Sequence, residues 1–367
     1  MRTETGGGSR RVQPAVEPDT NSGTDSGSRP EQPPENTAWH LIARPTGLVE
    51  RDHFEVRTSR VRAPKSGEVL VRNIFLMVPA SMRLWMNADD SYLPAQPLGE
   101  VMRGITVGVV DRSNAPDLPV GTFVTGMGGW QRFWVGSARA WEPLRRHPDI
   151  PLSTYLGPLG LQGLTAYCGL TDVCQPVAGE TLVVTAAAGS VGSLVCQIGK
   201  RLGLRVVGIA GGPEKCEWLL ESCGVDGAID YRNDDVGTRL DQLCPDGIDV
   251  VFENVGGPVL DRILERINRN ARIALCGLVS TYYGARPPAG QSPVNLMNLV
   301  NQRATMRGFI VRDYLPRMAE VRDLLTPWVL DGSLVHREEF SAGLESAPAA
   351  MNRLARGENL GLQFVYI

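Results

Sequence analysis

Lysine is nearly missing from this chain. Of its 37 basic residues only Lys65, Lys200 and Lys215 are lysines, the other 34 being arginines. GC-rich coding explains such a bias without chemistry, yet it makes the place of each lysine informative. Histidine is as scarce: His40, His53, His147 and His336 lie far apart, with no HxxxH and no cysteine at ligand spacing. A histidine-built zinc site is therefore not expected, and no metal is assigned. The seven cysteines, at 168, 174, 196, 216, 223, 244 and 276, form no CxxC and are odd in number. They read as reduced thiols, which places the chain in the cytoplasm. No run approaches the roughly 18 uninterrupted apolar residues of a bilayer span. Arg10 and Arg11 are followed by no apolar segment of the kind that marks a secretory or twin-arginine signal. Charge of one sign is lacking too. The net charge is −3, of which residues 1–36 carry −2, whereas a nucleic acid or a membrane surface calls for a basic excess. Neither is expected as a partner.

What is present is enough apolar material for two cores: 367 residues, 43% of them hydrophobic. Residues 1–36 do not share in it, since Met1, Val12, Ala15 and Val16 are their only apolar side chains. That stretch buries too little to offset its ordering entropy and is expected to be a disordered tail. From Trp39 to about Leu156, short β-branched runs such as Gly67–Arg72, Gly104–Val110 and Val120–Val124 alternate with turn residues. This pattern predicts an irregular, partly closed antiparallel barrel.

From about residue 165 the period changes. Thr181–Ala186, Arg205–Ala210, Asp226–Asp230, Ile248–Phe252 and Arg272–Cys276 read as strands. Between them, Val191, Leu194, Val195, Ile198 and Leu202 mark one helical face, Pro213–Cys223 a second helix and Val259–Ile267 a third. Alternation of this kind predicts a doubly wound parallel α/β sheet. The last fifty or so residues, with a helix at Met318–Trp328 and an apolar run at Leu362–Ile367, lack further βα units and are expected to return to the first domain. The division reads 37–160, 161–312 and 313–367, with the middle part inserted into the other two.

The turn Thr185-Ala186-Ala187-Ala188-Gly189-Ser190-Val191-Gly192 joins the first of these strands to its helix. Small residues there let backbone amides approach a pyrophosphate at the helix N-terminus. An NAD site would place a carboxylate about twenty residues further on. Counting from Gly192 reaches Gly211-Gly212 instead, and Lys215 follows, where an ammonium pairs with a 2′-phosphate. The expected cofactor is NADP(H).

Several further motifs stand at fixed spacing: Leu164-Thr165-Ala166-Tyr167, Gly212-Pro213-Glu214-Lys215-Cys216, Phe252-Glu253-Asn254-Val255-Gly256-Gly257, Cys276-Gly277-Leu278-Val279-Ser280-Thr281-Tyr282, Gly308-Phe309-Ile310-Val311 and Gly357-Glu358-Asn359-Leu360-Gly361. With the alanine-glycine turn, the chain from Trp39 onward resembles the zinc-independent medium-chain reductases, which include prostaglandin reductase, plant double-bond reductases and bacterial curcumin reductase. The resemblance implies a Rossmann domain inserted into a GroES-like β-barrel domain, and a homodimer. It implies NADP contacts at Gly189, Ser190, Val191, Gly192, Lys215, Tyr231, Asn254, Cys276, Gly277, Leu278, Val279, Ser280, Thr281, Tyr282, Phe309, Ile310, Val311 and Asn359. It also implies hydride transfer to the β-carbon of a small-molecule enone, with Tyr282 and the ribose 2′-hydroxyl donating to the enolate oxygen, and with Tyr92 beside the substrate mouth.

The chain departs from the family pattern in two places. Where members read Val-Asp-Pro-Tyr-Met-Arg, it reads Val78-Pro79-Ala80-Ser81-Met82-Arg83, and where they read Met-Pro it has Leu161-Gln162. Loss of an aromatic enlarges the pocket, and glutamine brings an amide that proline lacks. Ser81, Arg83 and Gln162 are thus the expected substrate-pocket residues, for a bulky or specialised substrate. Two alternatives stay open on sequence: reduction of a quinone or carbonyl with the same cofactor, and a non-redox isomerase, cyclase or binding protein that retains NADP.

Overall fold

The computed structural model describes residues 33–283 and 294–367. The expected tail therefore lies, up to residue 32, outside the described residues. Strand β1 (Glu35–Leu41) pairs antiparallel with β2 (Phe54–Arg60), Glu35 facing Arg60, so regular structure begins two residues inside the stretch set aside as tail. β3 (Glu68–Val78) is buried along most of its length. The helical turn α1 (Met82–Trp85) follows it, and then come β4 (Ile105–Ser113), β5 (Phe123–Gly126), β6 (Phe133–Ser137) and β7 (Trp141–Pro143). Helix α2 (Leu161–Cys168) leads out of this region.

Next come β8 (Thr181–Thr185), α3 (Ser190–Arg201), β9 (Arg205–Ala210), α4 (Pro213–Glu221), β10 (Gly227–Asp230), α5 (Val236–Leu243), β11 (Ile248–Glu253), α6 (Gly257–Leu264), β12 (Ile267–Leu275), α7 (Met297–Asn301) and β13 (Thr305–Gly308). The six strands form one parallel sheet in the order β10-β9-β8-β11-β12-β13. Every residue of β8 is buried, as a strand covered on both faces requires. Leu194, Val195 and Ile198 of α3 are buried, each contributing about 1.5–3 kcal/mol. The chain then returns through α8 (Met318–Leu330), β14 (Glu338–Ala342), α9 (Ala347–Ala355) and β15 (Leu362–Tyr366). β15 pairs antiparallel with β3 and completes a seven-stranded sheet in the order β14-β15-β3-β4-β5-β7, with β6 also on β3. A Rossmann sheet is thus enclosed in sequence by a mainly antiparallel domain built from both ends of the described chain.

Three local expectations change. Helix α6 stops at Leu264, short of Ile267, because Ile267 is drawn into parallel register with Ile248 and opens β12. Leu202 is 38% exposed, at the C-cap of α3 and outside its buried face. The sixth parallel strand, β13, went unread because Thr305-Met306-Arg307-Gly308 is an exposed edge with no apolar run.

Candidate active site

The order of the parallel sheet reverses between β8 and β11, the place where open α/β sheets bind ligands. A cleft of about 1720 Å³ opens there and runs between the two domains. Its floor is the turn after β8. Gly192 is required in that turn: a Cβ on it would stand 2.4 Å from the Ala186 carbonyl oxygen. The turn also leaves the N-terminal amides of the twelve-residue α3 facing outward, a ready anion site. The carbonyl of Ala188 accepts from the Gly361 amide at 3.1 Å, which ties the returning chain to the same turn.

Beside it, Asn254 is fixed by two bonds to Thr185: its amide N–H reaches Oγ1 at 2.8 Å and its Nδ2 donates to the carbonyl at 2.7 Å. Beneath it the Glu253 side chain is fully buried. Its Oε1 accepts from Thr185 Oγ1 at 3.0 Å and from the amides of Val255 and Gly256. Burial raises the Glu253 pKa, in spite of these bonds. Burial also pushes the Cys276 thiol up to about 12, so this cysteine is a protonated wall residue and no nucleophile.

β9 ends at Ala210, and neither its last residues nor the Gly211-Gly212 that follow carry a carboxylate. Asp230, on the neighbouring strand, is committed to its own loop, accepting from the Gly212 amide at 2.7 Å and from Asn233 Nδ2 at 2.6 Å. Lys215 Nζ donates to the Gly357 carbonyl at 2.7 Å, and Arg232 Nη2 donates to the Arg356 carbonyl at 2.8 Å. Two cations thus meet over backbone oxygens. Burial first, and repulsion from Arg232 second, lower the Lys215 pKa. A phosphate placed between them removes that repulsion, and with the glycine turn and the α3 N-terminus this arrangement fits a dinucleotide carrying a 2′-phosphate.

Two phenols with defined hydrogen bonds line the cleft. Tyr282 is 9% exposed, and its hydroxyl accepts from the Leu278 amide at 3.3 Å. Gly277 makes that approach feasible, because a Cβ there would come within 2.9 Å of the Tyr282 hydroxyl. The Tyr92 hydroxyl accepts from Trp85 Nε1 at 2.8 Å. Each phenol oxygen receives a hydrogen bond from the protein, so each O–H proton is left to be donated. Burial raises the Tyr282 pKa, so the phenol stays protonated.

Every cofactor-binding position expected from sequence lines this cleft, as do Ser81, Tyr92 and Gln162. Arg83 does not, and its expected place in the substrate pocket is corrected. It is 1% exposed, held by Pro45 O at 2.6 Å, Gly47 O at 3.2 Å and Asn87 Oδ1 at 2.6 Å, and it brackets the loop that carries Pro45. Its guanidinium lies 5.7 Å from the ring centroid of Tyr283, whose hydroxyl donates to the Met351 carbonyl at 3.1 Å. Tyr283 lines the cleft and was missed, as were Arg103, Arg322 and Arg356. In a chain so rich in arginine nothing in the sequence marks these three, while Tyr283 was legible only as the neighbour of Tyr282. Among the described residues no three His, Cys, Asp or Glu side chains converge as metal ligands.

Residues 37–144 match the family described as the N-terminal domain of oxidoreductase, and residues 190–327 the family described as zinc-binding dehydrogenase. The NADPH-dependent curcumin reductase of Escherichia coli K12 is 42% identical over 334 residues, covering 90% of this chain and 96% of that protein. The NADP-dependent 2-alkenal reductase of Nicotiana tabacum is 37% identical, covering 88% and 94% respectively. The crystal structure of CurA from Vibrio vulnificus in complex with NADPH superposes with a TM-score of 0.84 at 39% identity, covering 90% of this chain and 98% of that one. With the fold, the cleft at the strand-order reversal and these likenesses in agreement, the chain belongs to the zinc-independent medium-chain reductase family of curcumin, 2-alkenal and prostaglandin reductases.

Proposed function

We infer that this protein is an NADPH-dependent reductase of the carbon–carbon double bond of α,β-unsaturated carbonyl compounds. The observation that carries the reading is the pair of phenols, Tyr282 and Tyr92, each an acceptor toward the protein and a donor toward the cleft. When bound, NADPH would supply a hydride to the β-carbon of the enone and become NADP+, and water would supply the proton taken up at the α-carbon, with negative charge building on the carbonyl oxygen in between.

A neutral phenol meets the oxygen as a preorganised donor in a site where burial keeps it protonated. Tyr282 is the principal donor, and Tyr92, on the same cleft, is the second phenol available to that oxygen. Gly189 to Gly192 take the pyrophosphate, Asn254 and the Cys276–Tyr282 segment the nicotinamide ribose, and Lys215 with Arg232 the 2′-phosphate. Phe309, Ile310 and Val311 close the apolar side, Phe309 packing edge-on against Phe252 at 6.1 Å. The small Ser81, which lines the cleft where relatives carry an aromatic residue, favours a bulky substrate. An assay of NADPH consumption over enones, quinones and aldehydes, with product identification, tests the reading. Saturated ketones from enones support it, and alcohols or hydroquinones as the main products contradict it.

Tyr283 positions its neighbour. Its ring and hydroxyl hold the Tyr282 loop to the buried Arg83 and to α9. Tyr283→Leu is expected to lower kcat about tenfold through a misplaced Tyr282. Tyr283→Phe, which keeps the ring over Arg83, restores most of it, as steady-state kinetics with the best enone will show.

The chain is further proposed to act as a homodimer in the cytoplasm. β13 is an edge of the parallel sheet, and the segment leading into it exposes Val294, Met297 and Val300, unpaired backbone and apolar side chains suited to a second copy. All seven cysteines are free thiols, as a reducing compartment leaves them. No helix among the described residues is long and apolar enough to cross a membrane.

A further inference from the structure

Gln162 stands in the first turn of α2 and is 9% exposed, yet its amide has only weak partners. Its Nε2 donates to the thioether sulfur of Met77 at 3.4 Å, and its Oε1 accepts from Ser190 Oγ at 3.5 Å. A carboxamide offers two donor hydrogens and two lone pairs, and a thioether is a poor acceptor. A buried amide is ordinarily better satisfied. This one lines the cleft, so the missing partners are on the ligand side.

Met77 lies near the end of β3, and Ser81 follows that strand by three residues. The Ser81 side chain lines the same cleft and hydrogen-bonds no other described residue. Met77, which touches Gln162, and the sequence neighbours Val78, Leu84 and Leu161 add apolar surface to the same cleft.

We propose that Gln162 and Ser81, two polar residues of the cleft other than the tyrosines, bind an additional carbonyl or hydroxyl oxygen of the substrate. The preferred substrates are then enones that carry a further oxygen at some remove from the reacting double bond. This rests on the enone-reductase reading above and names the substrate class within it. Ser190 begins α3 in the pyrophosphate turn, so the competing assignment is that Gln162 serves the cofactor.

The test uses two straight-chain enones of equal length, one with a plain alkyl tail and one with a ketone or hydroxyl in that tail, measured on the full chain and on Gln162→Leu and Ser81→Ala. NADPH affinity, from quenching of protein fluorescence, reports both on fold and on the competing assignment. The wild type is expected to prefer the oxygenated enone in kcat/KM by about tenfold. Gln162→Leu brings that ratio near unity, and Ser81→Ala lowers it part of the way, with NADPH affinity retained in both. A wild type that treats the two enones alike, a preference that survives in both variants, or an equal loss on both enones together with weakened NADPH binding would each overturn the subsite. Were neither enone reduced by the wild type, the enone-reductase reading itself would fall, an outcome distinct from all of these.

Discussion

Tyr282→Phe is expected to cut kcat on the best enone by about 10²–10³, the usual cost of removing one preorganised donor from a developing oxyanion. NADPH affinity should change little, because the ring stays and only the hydroxyl is lost. The hydroxyl is buried and held by the Leu278 amide, so its geometry is set before substrate arrives. The fall should therefore appear in kcat and kcat/KM together, the mark of an interaction made in the transition state.

The pH profile gives the claim a second face. Burial raises the Tyr282 pKa above its ordinary value of 10.0, which favours the protonated donor. Activity should then show no loss from this group as pH rises through the neutral range toward 10.0, with any fall lying at still higher pH. A rate unaltered in Tyr282→Phe would remove the residue from the mechanism and leave Tyr92, on its Trp85 hydrogen bond, as the donor.

Lys215→Ala is expected to raise KM for NADPH by about 10- to 100-fold, the worth of one charge-assisted hydrogen bond. KM for NADH, which has no 2′-phosphate for the lysine to hold, should stay within about threefold. The residual preference for NADPH is assigned to Arg232, which remains in place near Tyr231. The sign of the pH effect follows from the same geometry. Burial and Arg232 lower the Lys215 pKa below the ordinary 10.5, and a bound phosphate favours its charged form. Discrimination for NADPH over NADH should therefore be strongest in the neutral range, where the 2′-phosphate is a dianion and the lysine is charged, and weaken as the lysine loses its proton in the alkaline range. Equal KM changes for both coenzymes would show that Lys215 braces the Gly357 loop and does not read the phosphate.

The sequence carried the Rossmann half clearly, because β8, β9 and β11 are buried on both faces and so appear as unbroken apolar runs. β13 was hidden for the opposite reason, being an edge that needs no apolar side chains. The candidate cofactor positions could be named from sequence, and all line the cleft, since backbone approach demands glycine at Gly192 and a 2′-phosphate calls for a charge such as Lys215, both constraints on single positions. Arg83 was misplaced because adjacency in sequence to Ser81 does not fix direction: α1 turns the guanidinium inward to the carbonyls of Pro45 and Gly47. The partner that gives Arg83 its meaning, Tyr283, is remote in sequence and was invisible until the fold joined them. The poorly satisfied state of Gln162 likewise depends on Met77 and Ser190, which no spacing rule brings together.

The central claim is that hydride goes to carbon β of an enone, and its most direct test is isotopic. NADPH deuterated at C4 on either face is supplied with an α,β-unsaturated ketone, and the product is examined by mass spectrometry and NMR. The account predicts a saturated ketone with one deuterium at the β-carbon from one of the two labelled coenzymes, and loss of that turnover in Tyr282→Phe. Deuterium on a carbinol carbon, or conversion of substrate without oxidation of NADPH, would contradict it.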